Sequence, residues 1–266
     1  MNELRVGALQ MELKHKAVEA NCAHLLALLE EFDLDSHLLV LPEMWTTGFI
    51  TRIAELPESL LGSAYEEGRA AMHHVAKQYN CAVYGTLIQL HPNGKPTNTG
   101  LFVTPEGQEI RYYKKHLFAF GGEAKHFASG DERVQVTYEG WQIRLSTCYD
   151  LRFPVWLRQD TRLGFYDLLL CSANWPAPRQ RAWERLLRAR AIENQCYLVA
   201  CNRVGTPHPK LYYPGYSFVL DAEGDTLSSA LESREALLTA TLSMEKLSEM
   251  RSNFPLLEDV DSFQLL

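Results

Sequence analysis

The sequence predicts a mixed α/β domain built on an open sheet, and three observations carry that reading. Short apolar, strand-like runs alternate with longer amphipathic segments along nearly the whole chain. Turn chemistry gathers in the middle, where Pro92-Asn93-Gly94 and Pro105-Glu106-Gly107 bracket Thr99–Val103 and imply consecutive antiparallel strands. No Pro/Gly/Ser-rich linker, internal repeat or low-complexity tract divides the chain, so residues 1–266 read as one domain.

The elements follow in order. Leu4–Met11 has the length and β-branched content of a strand. Lys16–Phe32 reads as a helix, because Val18, Cys22, Leu25, Leu29 and Phe32 recur at intervals of four and three and share one face. Leu38–Leu41 is a short apolar run, and Leu60–Gln78 returns to helical spacing. Ala82–Leu90, Gly100–Val103 and Ile143–Thr147 are strand-like again, and Pro154–Leu163 reads as a helix opened by its proline. Tyr166–Ser172, Tyr197–Cys201, Tyr216–Leu220 and Ala236–Leu242 complete the strands, with a helix expected at Ala182–Asn194. Asp221-Ala222-Glu223-Gly224-Asp225 supplies a further turn.

Composition narrows the function class. Hydrophobic residues make up 46% of the chain and charged residues 22%, which suits a globular protein and excludes a disordered one. The net charge of −7 argues against a general nucleic-acid binder. Cys22, Cys81, Cys148, Cys171, Cys196 and Cys201 are irregularly spaced and form no C-x-x-C pair, so they read as reduced thiols rather than a disulfide framework. The opening MNELRVGALQMELKHK lacks a basic leader followed by an apolar run. No stretch approaches the roughly 18 apolar residues of a membrane span. The expectation is a cytoplasmic enzyme or binding protein, with neither membrane nor nucleic acid as partner.

Phosphate loops, dinucleotide turns, serine elbows and paired-histidine zinc helices are absent from the pattern. His73 and His74 are adjacent and point to different parts of a helix surface, which makes them a poor metal pair. Neither a metal nor a cofactor is indicated.

Three segments carry possible chemistry. Cys148 sits where an apolar strand ends and a helix-like segment begins, in Ile143–Pro154. A thiol at such a turn meets substrate, the following backbone N–H groups can face an oxyanion, and a nearby positive charge or helix N-terminus would favour thiolate. The bland alternative is a core cysteine, the reading given to the other five. Glu43 stands just beyond Leu38–Leu41, at the sheet edge where α/β sheets place ligands. Partial burial would make it a usable general base, and otherwise it is an exposed loop glutamate. Lys114, in Ile110–Phe118, is placed to pair with Glu43 and stabilise an oxyanion, or else is one of two solvated lysines.

The ordered set LPE, YYKKHLF and STCYDLRFP closely resembles the nitrilase superfamily of carbon–nitrogen hydrolases. The likeness runs from Leu4 to Gly224, through CSANWP at Cys171–Pro176 and RARAIENQCYLVACNR at Arg188–Arg203. It implies a four-layer α-β-β-α sandwich, homodimers, and a Glu-Lys-Cys triad carried onto Glu43, Lys114 and Cys148. The family's further glutamate carries onto Glu123, eight residues before the Asp131 that follows Gly130. The resemblance also implies amide hydrolysis through a thioester, with the Tyr149 backbone N–H at the oxyanion. The CYDLRFP, CSANWP and RARAIENQ segments look most like the omega-amidase branch, which acts on 2-oxoglutaramate and 2-oxosuccinamate.

Alternatives stand beside that reading. N-carbamoyl amino acid hydrolases are the near rival, whereas aliphatic nitrilases carry C-W-E where this chain has Cys148-Tyr149-Asp150. An inactive interaction scaffold is the rival of another class. Ala177–Asn194 holds five arginines against two glutamates, which a solvated helix face explains more simply than nucleic-acid binding. Trp45, Phe118 and Trp175 adjoin the motifs as candidate pocket walls, with core packing as the alternative. Arg152 and Arg179 are candidate partners for a substrate carboxylate, and a structural ion pair is the expected fate of each.

Overall fold

The computed structural model describes residues 2–56, 60, 62–92, 94–209 and 211–265. Two six-stranded sheets form its centre. The first holds β1 (Glu3–Gln10), β2 (Leu38–Val40), β3 (Ala82–Gln89), β4 (Thr97–Val103), β5 (Glu109–Tyr113) and β14 (Ala236–Ser243), in the order β14-β1-β2-β3-β4-β5. The second holds β6 (Gln135–Tyr138), β7 (Trp141–Thr147), β8 (Leu168–Ala173), β9 (Tyr197–Asn202), β12 (Phe218–Leu220) and β13 (Thr226–Ser229), in the order β13-β12-β9-β8-β7-β6. Each sheet has three parallel strands at its centre and antiparallel strands outside them. A separate ribbon pairs β10 (Val204–His208) with β11 (Leu211–Pro214).

Period-two alternation explains the layering. Leu4, Val6 and Ala8 of β1, with Leu38 and Val40 of β2, face inward to Ile143, Leu145, Leu168 and Leu170 of the other sheet. The intervening Leu39, with Leu9 and Leu41 beyond, faces outward to α1 (Val18–Glu31) and α2 (Ala64–Gln78). On the far side, Trp183, Leu187 and Ala191 of α5 (Gln180–Asn194) cover the second sheet. The result is α-β-β-α, as the resemblance implies; the single open sheet read from patterning alone is corrected to two. Short apolar strands look alike whichever sheet they join. Among the described residues no helix is long and apolar enough to cross a membrane.

Most expected elements are present within a few residues. Pro105-Glu106-Gly107 does turn β4 into β5, with Gly107 at φ +86; Asn93 of the companion turn lies outside the described residues, as does Leu61 of the expected Leu60–Gln78 helix. Pro154–Leu163 is a correction, since only α4 (Pro154–Leu157) is helical. Gln159 is drawn out of the helix by Asn194 Oδ1, which accepts its backbone N–H at 2.8 Å, and by Tyr166, whose carbonyl accepts its side-chain amide at 2.8 Å. Cys22 is also half-buried rather than central in α1. The buried polar position there is Asn21, which donates to Lys14 O and Thr46 O and so ties the helix to the loop after Glu43. The patterning missed β5, β6, β10, β11, β13 and the terminal helix α6 (Met244–Asn253).

Candidate active site

Four strand ends converge at one edge of the sandwich. Glu43 stands three residues beyond β2 and Lys114 directly follows β5, while Cys148 and Asn174 directly follow β7 and β8. The first two come from one sheet and the last two from the other, so only face-to-face packing brings them together. A direct tie between the layers is the Tyr84 hydroxyl, which donates to Ser146 O at 2.9 Å.

Glu43 is held by a sharp reversal. Met44 has φ +44, and the chain returns so that its N–H donates to Thr86 Oγ1 at 2.8 Å and that of Trp45 to Thr86 O at 3.2 Å. The Glu43 carboxylate has no solvent exposure. Its Oε1 accepts from Lys114 Nζ at 2.7 Å and Asn98 Nδ2 at 2.7 Å, and its Oε2 from the Asn174 N–H at 3.0 Å. Lys114 Nζ also donates to Glu123 Oε2 at 2.9 Å and Oε1 at 3.1 Å. Glu123 opens α3 (Glu123–His126) behind Gly122, whose φ of +87 suits a residue without a side chain. Its carboxylate further accepts the Phe118 N–H at 2.6 Å and Asn98 Nδ2 at 3.1 Å.

An ammonium thus sits between two carboxylates, all three side chains fully buried. Burial raises the Glu43 pKa above the ordinary glutamate range; Lys114 opposes this and Glu123 reinforces it. Burial alone would lower Lys114, but Glu123 and Glu43 outweigh it and hold the amine above its usual range.

Cys148 occupies a backbone conformation uncommon for a side chain of its kind, with φ +45. Such a residue costs on the order of 1–3 kcal/mol and persists only where its surroundings enforce it. Asp150 supplies that enforcement, two residues into the turn Cys148–Arg152. It accepts from the Thr147 N–H at 3.0 Å, the Tyr112 hydroxyl at 2.6 Å and the His116 N–H at 2.9 Å, so it joins the cysteine turn to the lysine loop. Cys148 is 8% exposed. The expectation of a thiolate-favouring setting is corrected: burial and the Glu43 carboxylate push the thiol well up, and Lys114 only partly offsets them. The thiol therefore rests neutral, with its proton still to be removed. Burial likewise raises Cys22 to about 11 and Cys81, Cys171 and Cys196 to about 12, as inert thiols require.

Cys148 opens onto a cavity of about 300 Å³ whose walls include Phe118, Trp175 and Tyr149, together with Arg152 and Arg179. Trp45 is a correction. Its ring is fully buried in the layer between the first sheet and its helices, against Gly85, where an added Cβ would lie 3.1 Å from Trp45 Cδ1. The reversal at Met44 turns it away from the cavity. Phe49 was not foreseen; its ring lies 5.5 Å from Lys114 Nζ and lines the cavity. Asn98, Asn174 and Asp150 were also missed as site residues. The signal for Asn98 was the one amide side chain in the stretch Thr97–Val103; Asn174 and Asp150 lay inside motifs already noted.

A carbon–nitrogen hydrolase family profile matches residues 5–252. The chain belongs to the carbon–nitrogen hydrolase family. This carbon–nitrogen hydrolase is 41% identical over 268 residues to omega-amidase YafV of Yersinia enterocolitica, covering 100% of both chains. It is 32% identical over 259 residues to 2-oxoglutaramate amidase of Bacillus subtilis (strain 168), covering 96% of each. Among solved structures, XC1258 from Xanthomonas campestris, described as a CN-hydrolase superfamily protein with an arsenic adduct in the active site, superposes with a TM-score of 0.88. That chain is 36% identical, and each covers 100% of the other. Within the nitrilase superfamily the hydrolase therefore belongs with the omega-amidase branch.

Proposed function

We propose that this enzyme hydrolyses the terminal amide of small 2-oxo acid amides, 2-oxoglutaramate and 2-oxosuccinamate, to the dicarboxylate and ammonia through a cysteinyl thioester. The observation that carries the reading is the Lys114 ammonium clamped between Glu43 and Glu123 beside a thiol that opens onto the cavity. The names of the two relatives above point to the same substrate class.

In this reaction Glu43 takes the Cys148 proton as sulfur attacks the amide carbon. A raised pKa makes its carboxylate the stronger base, and proton transfer concerted with attack avoids an isolated buried thiolate. The oxyanion develops between Lys114 Nζ and the Tyr149 N–H, which stands second in its turn and has no acceptor within it. Protonated Glu43 then gives its proton to the departing nitrogen. Water, deprotonated by the same carboxylate, adds to the thioester; collapse releases the acid and returns the proton to sulfur. Glu123 fixes Lys114 through two hydrogen bonds and keeps it charged.

The test combines ammonia release from 2-oxoglutaramate with mass spectrometry of the acid-quenched enzyme. The expected result is ammonia at enzymatic rates and an acyl adduct on the Cys148 peptide. No ammonia, or an adduct confined to another cysteine, would sink the reading.

Three coarser features join the proposal. The chain acts as one domain, since a single apolar core spans both sheets and α5. It works in a reducing, cytoplasmic setting, which its six free cysteines suit. It pairs into homodimers, and light scattering is expected to give twice the 30.3 kDa chain mass; a monomer mass would refute pairing.

A further inference from the structure

Among the described residues, two cations line the Cys148 cavity without an acidic partner. The Arg152 guanidinium lies 4.7 Å from the centre of the Trp175 ring. That of Arg179 lies 5.1 Å from Phe118 and 5.9 Å from Phe120. Among the described residues neither forms an ion pair with a carboxylate, so the structural ion pairs expected from sequence are not made. The remaining walls are mainly apolar, from Phe49, Phe118, Phe120, Trp175 and Leu211. A guanidinium resting its face on an aromatic ring keeps its edge N–H donors free, and that fork matches a carboxylate.

The two arginines stand differently. Arg152 ends the turn that begins at Cys148 and stacks on Trp175, the neighbour of the Asn174 that binds Glu43. It belongs to the reacting end. Arg179 is set apart from that end: its aromatic seat reaches to Phe120, which is 87% exposed at the cavity mouth. It is also held in place, because its N–H donates to Pro176 O at 3.0 Å and its carbonyl accepts Trp175 Nε1 at 2.8 Å. Charge supplies a second argument. Lys114 is already paired with both Glu43 and Glu123, so its charge is not free to hold the carboxylate of an anionic substrate, and another cation must do so.

We propose that Arg179 is a specificity-determining residue: the free edge of its guanidinium takes the carboxylate of a short, linear dicarboxylate monoamide while the amide lies at Cys148. The amide end of this statement rests on the amidase reading above; the carboxylate end does not.

The experiment therefore has a binding arm and a turnover arm. Calorimetry measures 2-oxoglutarate binding to the wild-type protein, Arg179→Met, Arg179→Lys and Arg181→Met. Arg181 is exposed and outside the cavity lining, so its variant removes the same charge from the helix start. The expected result is about 10- to 100-fold weaker binding in Arg179→Met, an intermediate loss in Arg179→Lys, which keeps the charge but not the fork, and little change in Arg181→Met. In turnover, the ratio of kcat/KM for glutaramate over hexanamide should fall by a similar factor in Arg179→Met, through KM for the anion. Equal binding by wild type and Arg179→Met, no binding by wild type, or an unchanged ratio would overturn the proposal. Binding that depends on Arg179 in a protein that releases no ammonia would instead refute the amidase reading and leave the carboxylate site standing.

Discussion

Cys148→Ala is expected to lower kcat for 2-oxoglutaramate by about 10⁴- to 10⁶-fold, the scale seen when a nucleophile is removed from a catalytic unit. No other thiol can replace it, because Cys171 and Cys201 have no solvent exposure and their thiols are pushed far up by burial. Glu43→Gln should approach the same loss, since one carboxylate serves both the attack and the departure of ammonia. The double variant should be little worse than either, because base and nucleophile act as a unit. A double variant slower by the product of the two losses would show that they act independently. Glu43 also sets the pH dependence. The reactive form needs it ionised, so the rate falls as pH drops through its raised pKa. The acid limb should accordingly lie above the ordinary glutamate range, and a limb at or below that range would contradict the geometry.

Lys114→Met should damage both rate and stability, for separate reasons. Removing an oxyanion donor typically costs about 10²–10³ in kcat. The stability loss comes from what remains: Glu43 and Glu123 would share the Asn98 amide with no cation between them, both fully buried. Removing one partner of a buried pair costs about 3–5 kcal/mol, and for a chain of this size that lowers Tm by on the order of 10 °C. Adding Glu123→Gln removes one uncompensated carboxylate and should restore much of the lost Tm without restoring kcat. If the double variant melts no higher than Lys114→Met, the like-charge account fails. The two readouts separate the chemical role of Lys114 from its structural one.

Alternation and turn chemistry made many strands and helices legible, because those signals are local. They could not show how strands distribute between sheets, and the doubled sheet entered only through family resemblance. The three motifs in chain order made Glu43, Lys114 and Cys148 legible, and the spacing to Asp131 added Glu123 by the same route. What failed shared one cause. Trp45 lies two residues from Glu43 and looked like pocket lining, yet the positive φ at Met44 sends it into the helix-facing layer. Asn98 comes from a strand far along the chain and meets both glutamates only through sheet pairing. Arg152 and Arg179 were expected to end in ion pairs, and the structure instead seats them on aromatic rings.

The sequence by itself determined which groups are present, in what order, and that each follows or flanks a strand. It also determined a reduced-thiol chemistry, since six irregularly spaced cysteines offer no framework for disulfides. Only the tertiary structure decided that two strand ends from each sheet meet at one edge, and that the meeting point is buried. Burial is what turns these residue types into a site: burial, not composition, raises Glu43, keeps Cys148 a thiol and makes the Lys114 contacts strong. The charge of a side chain can be read from its name, but the dielectric around it depends on everything packed against it.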